Sequence, residues 1–72
     1  MDRFGEKLRA LREHRGLSYS QLAAALGYTR GHLSHIELGD SNPSPDLIII
    51  IADFFNVPLD ELMRDDREVR LK

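Results

Sequence analysis

A chain of 72 residues without cysteine makes one small domain and can form neither a disulfide nor a thiolate metal site. Its 42% hydrophobic and 31% charged residues exclude a disordered chain, and its longest apolar run, Leu47 to Ala52, falls far short of a membrane span of about 20 residues. The net charge of −2 alone speaks against a nucleic-acid partner, yet residues 1–36 hold six Lys/Arg against three acids and residues 37–72 hold four against nine, which predicts one electropositive face in the first half.

Phe4, Leu8 and Leu11 recur at helical spacing, with Asp2 as a candidate N-cap and Gly16 as a stop, so a first helix is predicted at about 3–15. Ser18 caps a second helix whose apolar face is Leu22, Ala23 and Leu26, ending at Gly27. Thr29 caps a third, carrying Leu33 and Ile36 and stopping at Gly39. Residues 40–45 read as a loop by their turn chemistry. Ser44 with Pro45 opens a fourth helix, which Val57-Pro58 breaks. Leu59, Leu62 and Met63 form a short fifth helix, capped through Pro58. The run Ile48 to Ile51 is also compatible with a strand, but a single strand has no partner here, and the Ser-Pro start favours helix. The charged segment from Arg64 to Lys72 reads as a solvated tail, or else as a short strand pairing across a dimer. The domain is thus expected at 1–63 and the tail at 64–72. The absence of cysteine fits a cytoplasmic location, and without a basic-then-apolar leader no secretory signal is expected.

Tyr19 to Ile36 forms a unit. Ala23 lies four residues before Gly27, and Leu33 and Ile36 follow that glycine at six and nine. A small residue lets two helices cross closely, a glycine supplies the sharp turn, and the two aliphatics seal the pair. Flanking it are Arg12 to Ser18, Ser34 to Gly39, Asn42-Pro43-Ser44 and Val57 to Leu62. From Phe4 to Met63 this pattern resembles the Cro/lambda-repressor-type, XRE-like, helix-turn-helix transcriptional regulators.

That resemblance implies an all-α, five-helix domain whose third helix lies in the major groove of double-stranded DNA. Its base-facing positions correspond here to Arg30, Gly31, Ser34 and His35. Arg30 suits guanine, whose O6 and N7 a guanidinium can bond together, and a cation at a helix start is unfavourable unless something anionic faces it. Gly31 permits close backbone approach to DNA or marks a tolerant position. His32 and His35 lack a third ligand, so no metal and no cofactor are expected. His35 is assigned to bases or phosphate, and Ser18, Tyr19, His32 and Asn42 to phosphate. Two departures weaken the phosphate grip: Tyr19 stands where the family usually has Gln, and Leu38 and Asp40 occupy a loop that is often basic. Arg12 and Glu37 correspond to a pair that links the first helix to the end of the third in relatives, and a partly buried ion pair is expected.

On the fourth helix Ile48, Ile51, Ala52 and Phe55 are assigned to the core. Leu47, Ile50 and Phe54 then form a surplus apolar stripe, read as a homodimer interface that would suit a pseudo-palindromic operator. No arrangement of residues suggests reaction chemistry, so the chain is not expected to be an enzyme. The leading function is a small dimeric transcriptional regulator, expected to repress; a restriction–modification controller or an antitoxin would be special cases. The competing function is a protein-interaction module of the same fold with little DNA affinity, for which Asp40, Leu38, Gly31 and the acidic total speak.

Overall fold

The computed structural model describes residues 1–71; Lys72, the last residue of the expected tail, lies outside them. Its elements are α1 (Phe4–His14), α2 (Tyr19–Leu26), α3 (Arg30–Leu38), α4 (Pro45–Phe55) and α5 (Leu59–Met63). The isoleucine run is helical and lies inside α4. Among the described residues, no helix is long and apolar enough to cross a membrane.

Local chemistry sets most helix ends. The side chains of Ser18, Thr29 and Ser44 accept the amides of Gln21, His32 and Leu47 at 3.1, 3.1 and 3.2 Å. Each such cap is worth about 1 kcal/mol. Gly27 and Gly39 close α2 and α3 at φ of 78° and 85°, in the left-handed region that glycine enters without strain. α4 ends on Asn56, also left-handed at φ 55°, just before the Val57-Pro58 break.

Phe4, Leu8 and Leu11 of α1 meet Leu22, Leu33, Ile36, Ile51 and Leu62 in a single core. A fully buried aliphatic or aromatic side chain contributes about 1.5–3 kcal/mol relative to exposure. Where α1 crosses α3, Gly5 is required: a β-carbon there would lie 2.4 Å from the Ile36 carbonyl oxygen and 2.7 Å from that of Glu37.

Three expectations are corrected. Leu47 is not part of an exposed stripe; it is fully buried, because the inward arc of α4 is wide enough to take Leu47, Ile48, Ile51, Ala52 and Phe55 together. Ile50 is exposed, whereas Phe54 is half-buried beneath the Arg15 guanidinium. Asp2 does not cap α1. The N-cap is Arg3, without a side-chain cap bond, and the Asp65 carboxylate accepts the amides of Asp2 and Arg3, each at 3.0 Å.

Nor does the segment after Arg64 stand free in solvent. Arg3 donates to the Asp65 carbonyl at 2.9 Å and pairs with Glu68 at 2.8 Å. Val69 packs on the core, and the Arg70 amide donates to the Glu61 carboxylate at 3.3 Å. Lys7, almost wholly buried, donates to the carbonyls of Glu61 and Arg64. The two ends therefore cap each other: a carboxylate from beyond α5 meets the positive end of α1, and an ammonium from α1 meets the negative end of α5.

Candidate nucleic-acid interface

α2 and α3 form two short helices joined at Gly27. The Tyr28 amide donates to the Ala23 carbonyl at 2.9 Å across that turn, and Leu22, Ala23, Leu26, Leu33 and Ile36 are all buried between the helices and the rest of the core. With the inner faces committed to packing, the outward positions of α3 are Arg30, Gly31, His32, His35 and Leu38, which are exposed, with Ser34 half-buried among them.

Arg30 differs from the other cations. Arg3 pairs with Glu6 and Glu68, Arg9 with Glu13, Arg12 with Glu37, Arg64 with Asp66, Arg67 with Asp60 and Arg70 with Glu61. Lys7 is held by carbonyls, and Arg15 lies over Phe54 and Phe55. Among the described residues, Arg30 alone of the Lys and Arg side chains has no partner. It sits at the first position of α3, where the helix dipole repels a cation.

Its neighbours are more constrained. The Ser34 hydroxyl donates back to the Gly31 carbonyl at 3.0 Å. A β-carbon on Gly31 would meet nothing within 4 Å, so no neighbour in the chain requires glycine there. The His32 ring stacks on Tyr28, centroids 5.6 Å apart and planes at 19°. His35 Nδ1 lies 3.5 Å from Asp40 Oδ2.

At the start of α2, Ser18 and Gln21 form a reciprocal box. The Ser18 oxygen accepts the Gln21 amide, and the Gln21 side-chain oxygen accepts the Ser18 amide at 2.9 Å. This leaves the amides of Tyr19 and Ser20 without an intrahelical acceptor. The Arg12 guanidinium lies 4.3 Å from the centre of the Tyr19 ring, so that ring is clamped on one face. Arg12 also donates from Nε and Nη2 to the two Glu37 oxygens at 2.8 and 3.3 Å, and from Nη1 to the Leu17 carbonyl at 2.7 Å. One buried guanidinium thus joins α1, the start of α2 and the end of α3, and the Glu37 carboxylate raises its pKa above the usual arginine value. Asn42 is exposed in the loop beyond α3.

Sequence reasoning missed Tyr28, which lies before the Thr29 cap and stacks on His32 from outside α3. It also read Asp40 as a lone repulsive charge, without its histidine partner. Nothing in the sequence marked Lys7 as a buried cation.

A family model described as helix-turn-helix matches residues 8–62. The chain is 42% identical over 64 residues to the HTH-type transcriptional repressor RghR of Bacillus subtilis (strain 168), covering 88% of this chain and 47% of that protein. It is 35% identical over 68 residues to the HTH-type transcriptional activator BcrR of Enterococcus faecalis, covering 94% and 33%. YazB of Bacillus subtilis (strain 168), named an uncharacterized HTH-type transcriptional regulator, is 37% identical over 59 residues, covering 82% and 86%. The chain therefore spans about half the length of RghR and a third of BcrR.

Proposed function

The chain belongs to the XRE-type helix-turn-helix family, and from that premise we propose that it is a non-enzymatic, sequence-specific regulator of transcription that reads double-stranded DNA with α3. The observation that carries this reading is the unpartnered Arg30 at the start of α3. The chain neutralises its other described Arg and Lys side chains with carboxylates, carbonyls or rings and leaves this one to an external anion or base edge. Arg30, Gly31, Ser34 and His35 face the bases. Ser18, Tyr19, His32 and Asn42, with the open amides of α2, face phosphates; such contacts position a protein on the duplex without reading sequence. Residues 1–63 are the reading domain, and residues 64–70 dock upon it. Repression by occupying a promoter is the proposed outcome, in line with the name of RghR.

The same reading includes a homodimer. The apolar surface that supports it is not the expected Leu47, Ile50, Phe54 stripe. Ile49, Leu59 and Met63, exposed by 48%, 43% and 40%, line one apolar groove with Pro45 and Ile48, and Ile50 adjoins it in sequence. Two copies joined through α4 and α5 would present their α3 helices about one helical turn, about 34 Å, apart.

Selection of sites from randomised duplex DNA at low and near-physiological salt tests the proposal. An inverted repeat with a guanine in each half-site, whose guanine preference disappears in Arg30→Ala, is the expected result. A folded protein that enriches no site at either salt would overturn it and turn attention to the interaction-module reading.

A further inference from the structure

The chain places one carboxylate against the reading helix, and its position has a chemical consequence for the histidine beside it. Gly39 turns the chain at φ 85°, and the amides of Asp40 and Ser41 both donate to the His35 carbonyl, at 2.8 and 3.3 Å. That turn delivers the Asp40 carboxylate to the Nδ1 side of the His35 ring, 3.5 Å away. Both side chains are exposed, at 61% and 63%, so the far edge of the ring is open.

The other charges near α3, the unpartnered Arg30 at its start excepted, are turned elsewhere. α2 carries no charged residue. On α1, Arg9 pairs with Glu13, Arg12 with Glu37, and Arg3 with Glu6 and Glu68. Lys7 is committed to carbonyls of the α5 end. On α3 itself Glu37 faces Arg12, while His32 stacks on Tyr28. Among the described residues, Asp40 is therefore the one charged group within ion-pair distance of the His35 ring.

We propose that Asp40 is a positioning residue that fixes the His35 tautomer and so sets which base edge His35 reads. The inference rests on the reading of α3 as the DNA-contacting helix. A carboxylate is an acceptor only, so it holds the proton of a neutral imidazole on the nitrogen that faces it. With Nδ1–H turned to Asp40, Nε2 is left as a bare acceptor on the open edge. In the major groove an acceptor matches an amino group, cytosine N4 or adenine N6. Turning Nδ1–H to Asp40 thus matches His35 to the amino-bearing member of a base pair, while Arg30, always charged, reads guanine.

The test combines two measurements on the full chain. Imidazole nitrogen NMR of the free protein at about pH 8, above the range in which histidine changes charge, is expected to show the proton on Nδ1 of His35. In Asp40→Ala it is expected to move to Nε2, the form an isolated imidazole prefers. Site selection at about pH 8 is expected to keep the Arg30 guanine and to favour an amino-bearing base facing His35 by roughly tenfold. In Asp40→Ala the preference at about pH 8 is lost. An Nε2–H ring in the wild type, a tautomer unmoved by Asp40→Ala, or no base preference opposite His35 while the Arg30 guanine persists would each overturn the inference. Failure to enrich any site overturns the DNA reading beneath it, and the inference with it.

Discussion

Arg12 and Glu37 form a two-pronged ion pair, Nε to Oε2 at 2.8 Å and Nη2 to Oε1 at 3.3 Å, with each residue only 9% exposed. Removing either partner strands a buried charge, which costs about 3–5 kcal/mol. Arg12→Ala additionally frees the Leu17 carbonyl and the Tyr19 ring. Urea unfolding should show both Arg12→Ala and Glu37→Ala strongly destabilised. The double variant Arg12→Met/Glu37→Leu should be milder than either, because desolvation of the pair offsets much of its attraction. A double variant as unstable as the sum of the singles would show that the two side chains do not act as a pair.

Gly5 and Gly31 make opposite forecasts. Gly5→Ala drives a methyl into backbone carbonyls of α3, which cannot give way as a flexible side chain can, so a loss of about 1–3 kcal/mol is expected. Gly31→Ala meets open space and should raise the stability of the free protein by up to about 1 kcal/mol through helix propensity. Thermal melts of both variants check this. If Gly31→Ala also weakens binding to the selected site, the glycine serves close approach to DNA; unchanged binding assigns it no such role.

The tail should make stability depend on acid. The amides of Arg3 and Asp2 hold the Asp65 carboxyl below the ordinary aspartate range, and Arg3 does the same for Glu68, Arg67 for Asp60 and Arg64 for Asp66. A carboxyl with a depressed folded pKa binds its proton more readily when unfolded. Its contribution is therefore present above the unfolded value, about 3.9 for Asp and 4.3 for Glu, and is lost as pH falls through the lower folded value. Melting temperature should thus fall as the pH drops below about 4, modestly because these carboxylates are exposed. Asp65→Asn should lie below the wild type at neutral pH and converge with it in acid. Curves that run parallel throughout would show that Asp65 carries none of the effect.

Self-association should follow α5 and the outer edge of α4. Ile49→Asp or Met63→Asp adds charge to the exposed groove and leaves the core residues Leu47, Ile51 and Leu62 untouched. Sedimentation at rising concentration should show dimers for the wild type and monomers for these variants. A monomer at every concentration in the wild type removes the groove as a homodimer surface.

Much of this fold is legible in the order of its residues. Serine and threonine caps, helix-ending glycines and the 3.6-residue rhythm are local, because an amide needs an acceptor within a few residues and a left-handed turn needs the residue that tolerates it. They mark α2 and α3 closely and place Arg30 at the start of α3. The limits of local reasoning appear at particular residues. Leu47 and Ile50 are equally apolar and three apart, and only the width of the packed arc of α4 decides that one is core and the other surface. Asp2 has the right chemistry for a cap, but a carboxylate arriving from residue 65 takes the amides near that helix end. Asp40 looks like a lone repulsive charge in the sequence; in the structure its carboxylate lies 3.5 Å from the His35 ring. Sequence by itself determined the helices and their order, since those depend on neighbours along the chain. Which charges are spent on one another, and which single arginine remains free among the described residues, the tertiary structure alone decided, because ion pairing and burial depend on distances between residues far apart in sequence.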